Sequence, residues 1–419
     1  MQNSDRTSTQ TLKTSVVAAW ASFDFANSSF AMIMVTFVYP LYFGNVIVTD
    51  GKGDLYWGIA MSLSMLLVAL LAPALGAIAD STRSKKIFLA AFTALAVLGT
   101  AGAAFLEPGM VLTGALLFVL ANAGFEGGIV FYDAFLPEIA PRERYGRISG
   151  LGFATGYIGS LVIILLTKDL LLTNKIPEAF LITAGVFALF AIPLFLFVPE
   201  KKASRSTRSI ETVRASFRQI LTTLKNIRRF PSLAWFLLAF FLYNDAILTV
   251  IGFSGRYAKN TLKFETSDLI ILLMMVQAIA VIGSLIFGYV ADKLGAKRTI
   301  IITLCIWIIV ILGAYLSTDV ASFYIVAAMT GIALGSSQAT SRSLMAKLTP
   351  VEHTAEFFGF YDGFCGKASA VIGPLLFGFL STSFGQRPAI VSLGVLFILG
   401  LLFMRKVEDN HPTPKYEPS

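Results

Sequence analysis

Acidic, basic and amide side chains stand inside stretches otherwise apolar enough to cross a bilayer. In AWASFDFANSSFAMIMVTFVYPLYF (19–43), Asp24 and Asn27 are about one helical turn apart. Asn122 and Glu126 are spaced i,i+4 in another stretch and share a helix face. Tyr243, Asn244 and Asp245 are consecutive; Gln338 and Arg342 are again i,i+4; Asp362 and Lys367 interrupt a further stretch, and Gln277 sits alone in its own. A charged side chain at a bilayer centre costs about 3 kcal/mol on insertion scales. It is retained where it faces an opposite charge, a water-filled path or a bound solute. Asp24 thus faces water or a cation such as Arg342 or Lys367. Asp24, Glu126 and Asp245 are candidates to carry a proton, because a desolvated carboxylate can titrate near neutrality. A charge pair that only closes one end of a pathway is the competing use of Asp24, Arg342 and Asp362.

The elements that must position these groups are twelve apolar blocks, approximately 16–44, 55–79, 86–106, 110–133, 145–167, 177–198, 232–256, 267–290, 299–316, 320–341, 355–381 and 387–404. Each is long enough to span about 30 Å of hydrocarbon as a helix. The 419 residues are 56% hydrophobic and 14% charged, against about 25% charged in soluble domains. The expected fold class is an all-α polytopic membrane protein, embedded in the lipid bilayer. Twenty-five of the 33 basic residues fall in the tails and in the loops on one side, and seven in the loops opposite. The positive-inside rule then places both termini in the cytoplasm. The +8 net charge is thereby a topology signal, and no nucleic-acid partner is expected. The expected organisation is an N-tail 1–15, a six-helix bundle 16–198, a basic linker 199–231 with an amphipathic surface helix, a second bundle 232–404 and a C-tail 405–419.

GAIADSTRSKK (76–86) and GYVADKLGAKR (288–298) align at an offset of 212, each at the inner end of the second block of its half. Two copies of a six-helix unit are a layout of transporters. The glycine admits a neighbouring helix closely, the aspartate ends a helix, and the cations hold the loop at the inner surface. Glycines also line the fifth block (Gly146, Gly150, Gly152, Gly156, Gly159) and the eleventh (Gly359, Gly363, Gly366, Gly373), which reads as tight packing. Asp133 reads as interfacial, and Trp20, Trp57 and Trp235 as interface anchors. Cys305 and Cys365 lie in apolar blocks, and His353 and His411 are far apart, so neither a disulfide framework nor a metal site is expected. No signal peptide is expected at the N-terminus. H-E-x-x-H, G-x-S-x-G and G-x-x-x-x-G-K-[ST] are absent, so neither an enzyme nor an ATP-driven pump is expected, and no cofactor.

The repeated loop resembles the signature loop of the major facilitator superfamily. FDFANSSF (23–30), VFYDAFLPEIAPRERYGRISGLGFATGYIG (130–159), FFLYNDAILTV (240–250) and GSSQATSRSLMAKLTPVEHTAEFFGFYDGFCGKASAVIGPLLFG (335–378) resemble its "unknown major facilitator" branch, which includes autophagy-related vacuolar amino-acid effluxers. Phe23 and Phe25 depart from the branch, where Tyr and Trp are usual, and Ser84 stands where the superfamily loop commonly has glycine. The resemblance implies two pseudo-symmetric six-helix bundles. It implies a cavity lined by blocks 1, 4, 7 and 10, and a monomeric secondary carrier working by alternating access. One cytoplasmic latch would use Asp80, Arg83, Lys85 and Lys86, the other Asp292, Lys297 and Arg298. Asp24, Asn27, Asn122, Glu126, Tyr243, Asn244, Asp245, Gln338, Arg342, Asp362 and Lys367 would serve solute binding or coupling. The expected solute is small and polar or zwitterionic, an amino acid or related metabolite exported across a bacterial inner membrane, with protons as a candidate second partner. Sugars, drugs or cell-wall and lipid-linked compounds are the alternative cargo. A channel or a membrane-embedded enzyme is the alternative class.

Overall fold

The structure, a computed structural model, describes residues 13–50, 52–200, 230–260, 262, 264, 266–350, 353–369 and 372–408. The amphipathic helix expected within 199–231 lies almost wholly outside them, as do the ends of both tails. Every regular element among the described residues is helical, which satisfies backbone polar groups within each segment where no water is available.

The first half holds α1 (Thr14–Phe30), α2 (Gly53–Thr82), α3 (Lys85–Gly102), α4 (Val111–Asp133), α5 (Tyr145–Leu172) and α6 (Ile176–Phe197). The second half begins with α7 (Pro231–Asn260), α8 (Thr266–Leu294), α9 (Ala296–Leu316) and α10 (Val320–Leu348). Among the described residues, eleven helical spans are long and apolar enough to cross a membrane. The eleventh apolar block is not among these spans, and its described residues are not one regular α-helix. It runs as α11 (Thr354–Phe358), a π-helical stretch Gly359–Cys365, a short turn Gly366–Ala368 and α12 (Ile372–Phe384), before α13 (Gln386–Met404). Glycine at 359, 363 and 366 weakens regular α-helix there, and the wide turns re-aim Asp362 and Lys367. The first block also widens beyond α1, at Ala31–Thr36 and Phe43–Ile47, on either side of the Pro40 that lacks an N–H donor.

Local signals set the ends. Asp319 caps α10 by accepting from Ser322 N at 2.9 Å, a bond that holds its carboxyl below the usual range. Arg83 ends α2 with φ +46°, and Gly295, its counterpart in the repeat, has φ +90°. The left-handed turn therefore falls at 83, not at Ser84, and an arginine there costs about 1 kcal/mol relative to glycine.

Within the first half α1 packs on α5 and α6, and α4 on α2 and α3; within the second, α8 packs on α10, and α13 on α7 and α9. The halves meet along two seams, α5 against α8 and α10, and α2 against α11 and the π-helical stretch. Gly146 and Gly150 on α5, Gly76 on α2 and Gly359 belong to these seams, while Gly152, Gly156 and Gly159 pack on α1 within the first half. A Cβ at Gly150 would overlap Ser284 O, and one at Gly76 would overlap Ala355 O. Leu66, Leu70, Leu98, Leu112, Leu196 and Ile325 are exposed and form part of the face presented to hydrocarbon. Trp57 and Trp235 pack against Phe118 and Phe403, with Lys406 over the Trp235 ring. Trp20 is no interface anchor. It is fully buried, because its ring and N–H are both used at the centre of the molecule.

Gly150→Ala should destabilise the protein by about 1–3 kcal/mol, the usual cost of overpacking. Gly185→Ala, where a Cβ meets nothing within 4 Å, should be close to neutral. Thermal unfolding of both variants in one detergent checks the contrast.

Candidate functional site

The charges converge where the halves meet. Asp24 comes from the middle of α1, Asp133 from the last turn of α4, and Arg342 from α10. Arg342 is 1% exposed, and its Nη1 lies 3.0 Å from Asp24 Oδ2 and 3.0 Å from Asp133 Oδ1. Only the Asp24 contact has hydrogen-bond geometry; Asp133 Oδ1 and Arg342 Nε lack hydrogen-bond partners among the described residues. Tyr132 Oη donates to Asp24 Oδ2 at 2.7 Å, and Trp20 Nε1 donates to the Tyr132 carbonyl at 3.1 Å. The guanidinium carbon sits 3.8 Å from the Phe153 ring centroid, 5.2 Å from that of Trp20 and 5.6 Å from that of Tyr132. Aromatic faces attract a desolvated cation, and a planar guanidinium suits them better than an ammonium. A Cβ on residue 152 would strike Asp24 Oδ2 and Trp20, so only glycine lets α5 approach here.

A second pair lies beside the first. Lys367 binds Glu126 on α4. Asp362 lies in the π-helical stretch beside this pair, and its Oδ2 has no hydrogen-bond partner among the described residues. First-half acids thus meet second-half cations at two adjacent places.

The repeated loops form two further cross-half contacts at one end of the bundle. Asp80 Oδ2 accepts from Glu356 N at 2.9 Å, at the start of α11, and Asp80 pairs with Lys85 at 3.3 Å. Lys85 also pairs with Glu138 at 2.6 Å and bonds Thr354. In the second copy Asp292 accepts from Gly146 N at 2.7 Å and Arg147 N at 3.1 Å, at the start of α5. In each copy an aspartate from one half meets the amino-terminal amides of a helix in the other, where the helix dipole favours negative charge. Lys85 is the expected latch cation found on its aspartate; the others are placed differently. Asp292 pairs with Arg147 rather than with Lys297 or Arg298. Lys297 donates to Arg405 O and Lys86 to Phe195 O, satisfying carbonyls at the ends of α13 and α6 within their own halves. Arg298 is exposed on the first turn of α9, and Arg83 makes the turn after α2.

At the end away from these latches lies a cavity of about 460 Å³, lined by α1, α4, α5, α7, α8, α9, α10 and neighbouring segments. No lining residue carries a formal charge. Its polar groups include Ser28, Tyr157, Gln277 and Gln338, while Phe153 forms part of its wall. Of the binding residues expected from sequence, Gln338 alone lines it. The others are engaged or enclosed elsewhere. Asn122 donates to Ser64 on α2 at 2.8 Å, Tyr243 Oη shares a hydrogen bond with Ser341 at 2.7 Å, and Asn244 donates to Ser369 at 2.9 Å. Asp245 is fully buried on α7. Asn27 is buried, with neither amide atom hydrogen-bonded among the described residues. Asp133 is 3% exposed rather than interfacial, because α4 ends inside the seam. Its spacing gave a usable signal, since residues 126 and 133 are two turns apart on one helix face. Tyr132 and Phe153 carried no such signal, because aromatic residues are abundant throughout this chain.

The family described as "Vacuole effluxer Atg22 like" matches residues 56–414. The uncharacterized MFS-type transporter YxiO of Bacillus subtilis (strain 168) is 34% identical over 94% of this chain and 95% of its own. A multi-drug resistance efflux pump PmrA homolog of Lactococcus lactis (strain IL1403) is 26% identical, covering 95% of this chain and 96% of its own. Among solved structures, the major facilitator transporter FucP in the outward conformation aligns with a TM-score of 0.73 at 16% identity, covering 94% of this chain and 99% of that one.

Arg342→Ala should destabilise the protein by about 3–5 kcal/mol, by leaving buried carboxylates uncompensated. Adding Asp24→Asn should recover part of that loss. Thermal unfolding of the two single variants and the double variant gives the coupling; strict additivity would mean that the two side chains do not interact.

Proposed function

The chain belongs to the Atg22-like family and is a major facilitator transporter, and on that premise we propose that it is a secondary carrier exporting an amino acid or related small metabolite by alternating access. The observation that carries this reading is the opposition of two cross-half latches at one end and a cavity between the halves at the other. A permanently open pore has no use for contacts that hold two halves together at one end only. The distribution of basic residues assigns the latch end to the cytoplasm. The conformation described is then closed inside, with its cavity towards the outside. Opening the cytoplasmic end requires Asp80 and Asp292 to leave the helix starts that they cap.

The solute would enter the uncharged cavity with its apolar body against α7, α8 and α10, and its polar end towards Gln338. Arg342 and the carboxylates around it lie one turn further on and suit the charged ends of a zwitterion once Phe153 turns aside. A second reading rests on the lining itself. A cavity without formal charge also suits a lipophilic drug, and one relative is described as a multi-drug efflux pump.

Side-specific labelling tests alternation. With Cys305 and Cys365 replaced by serine, a single cysteine at Ala327 should react with an impermeant maleimide applied from outside. In Asp80→Asn combined with Asp292→Asn its outside labelling should fall severalfold, and labelling from the cytoplasmic side should appear. A site that stays open to the outside in the latch variants would defeat the carrier reading. Thermal-shift screens with amino acids and with lipophilic cations then separate the two cargoes.

A further inference from the structure

Where the α5–α8 seam reaches the latch end, two cations from different halves share one exposed ring. Tyr289 stands on the outward face of α8, near its end. The Arg147 guanidinium, from the first turn of α5, lies 4.8 Å from the Tyr289 ring centroid. The Lys293 ammonium, one turn further along α8, lies 4.6 Å from the same centroid. The ring face holds both cations close together against their mutual repulsion. Little negative charge is left to neutralise them. Arg147 reaches Asp292 through Nε at 3.1 Å, but that carboxylate also accepts the Gly146 and Arg147 amides. Among the described residues no carboxylate pairs with Lys293, and the Nη groups of Arg147 have no hydrogen-bond partner. From the cations towards the bilayer, exposed apolar side chains continue along both helices: Leu151 and Ile158 on α5, and Ile282, Leu285 and Ile286 on α8. Spacings of three, four and seven residues keep each stripe on one helix face.

We infer that this seam is a binding site for an anionic phospholipid, whose phosphate bridges Arg147 and Lys293 across the two halves while an acyl chain lies along the two apolar stripes. Guanidinium Nη groups suit phosphate oxygens, and an ammonium adds a compact second charge. A headgroup of net negative charge fits better than a zwitterionic one, which brings its own cation to a place that already holds two. A soluble phosphate would meet the same cations but leave the stripes uncovered. The distribution of basic residues puts the site in the cytoplasmic leaflet. The consequence for opening rests on the carrier reading. When the latch end opens, α5 and α8 part, and one headgroup no longer reaches both cations. The lipid therefore binds the latched state more tightly and shifts the population towards it. It reinforces the latch at Asp292, whose own ion pair is exposed.

Two measurements on the full chain in lipid nanodiscs test this. The first is hydrogen exchange at a peptide covering 144–148, which contains the amides that Asp292 accepts. Discs of phosphatidylcholine alone are compared with discs that also contain phosphatidylglycerol. In the wild type, phosphatidylglycerol should slow this exchange severalfold, since a lipid present at a few times its dissociation constant lowers the open fraction by a similar factor. The lipid-dependent ratio should fall to one in Lys293→Gln, which leaves the Asp292 contacts in place, and in Arg147→Gln. It should persist in Lys406→Gln, which removes a cation over the Trp235 ring away from this seam. No effect of phosphatidylglycerol on the wild type, or an equal loss in all three variants, overturns the inference; the second outcome would mean a general surface charge. Equal slowing by soluble glycerol phosphate in phosphatidylcholine discs overturns the lipid as its source. The second measurement needs no variant to fold. A phosphatidylglycerol with a photoreactive acyl chain should label peptides within 147–158 and 282–293 of the wild type above other lipid-facing peptides, and uniform labelling overturns the site. Failure of the carrier reading looks different: cavity labelling would never change sides, while the lipid effect at 144–148 still followed Lys293.

Discussion

Charge cannot be left unpaired at the centre of a membrane protein, and here the compensation is divided between the two halves. The first half contributes Asp24, Glu126 and Asp133; the second contributes Arg342 and Lys367. Neither set is balanced alone. The pairs exist only while α4, α10 and the π-helical stretch are together, so the conformation and the ionic contacts are one property. The aromatic enclosure of Arg342 strengthens this dependence. Trp20, Tyr132 and Phe153 exclude water from the guanidinium, and Tyr132 donates to the same Asp24 oxygen that the guanidinium reaches. Desolvation makes the pairs stronger while made and the parted charges costlier, so separation needs water, a solute or a proton to take the place of the lost partner.

The two latches share a device without sharing its strength. Asp80 and Asp292 each receive backbone amides at a helix start across the seam, a geometry that their matched positions in the repeat impose. Around Asp80 the second partner, Lys85, is itself buried and ties Glu138 and Thr354 together. Around Asp292 the ion pair is with Arg147, whose side chain is 49% exposed. Exposed pairs contribute little, while buried ones are costly to break. The ion pair at Asp292 is therefore the weaker of the two, and the one at Asp80 the stronger.

The sequence was most informative where a rule has one physical cause. Apolar length located eleven of the spans, because a long apolar helix satisfies its own backbone in hydrocarbon, but it gave no sign of the local geometry within the eleventh block. There Asp362 and the glycines around it stand in a π-helical stretch rather than in regular α-helix. The offset of 212 matched Asp80 with Asp292, and Lys85 meets Asp80 as the motif suggests, but Lys86 and Lys297 bind carbonyls of their own halves instead. A lysine after a helix end can reach a carboxylate across the seam or a carbonyl in its own half, and spacing does not choose between them. Asp133 was misplaced because nearness to a block end is not nearness to water. Phe153 was invisible, since its role depends on which of many aromatic rings meets the one buried arginine.

Gln338 and Arg342 define how the cavity and the charges communicate. They stand one turn apart on α10, about 6 Å along the axis, with Gln338 in the cavity wall and Arg342 inside the cluster. Phe153 on α5 occupies both environments, its ring against the guanidinium and also in the cavity wall. On the proposed reading, a solute in the cavity acts on the cluster first through these two helices, and meets a charge only once Phe153 has turned aside. α5 is also the helix whose first amides Asp292 accepts, and it packs on α8 and α1 through glycines that allow no added methyl. Displacement of Phe153 by a solute would load α5 directly, and through α5 the latch with the weaker ion pair.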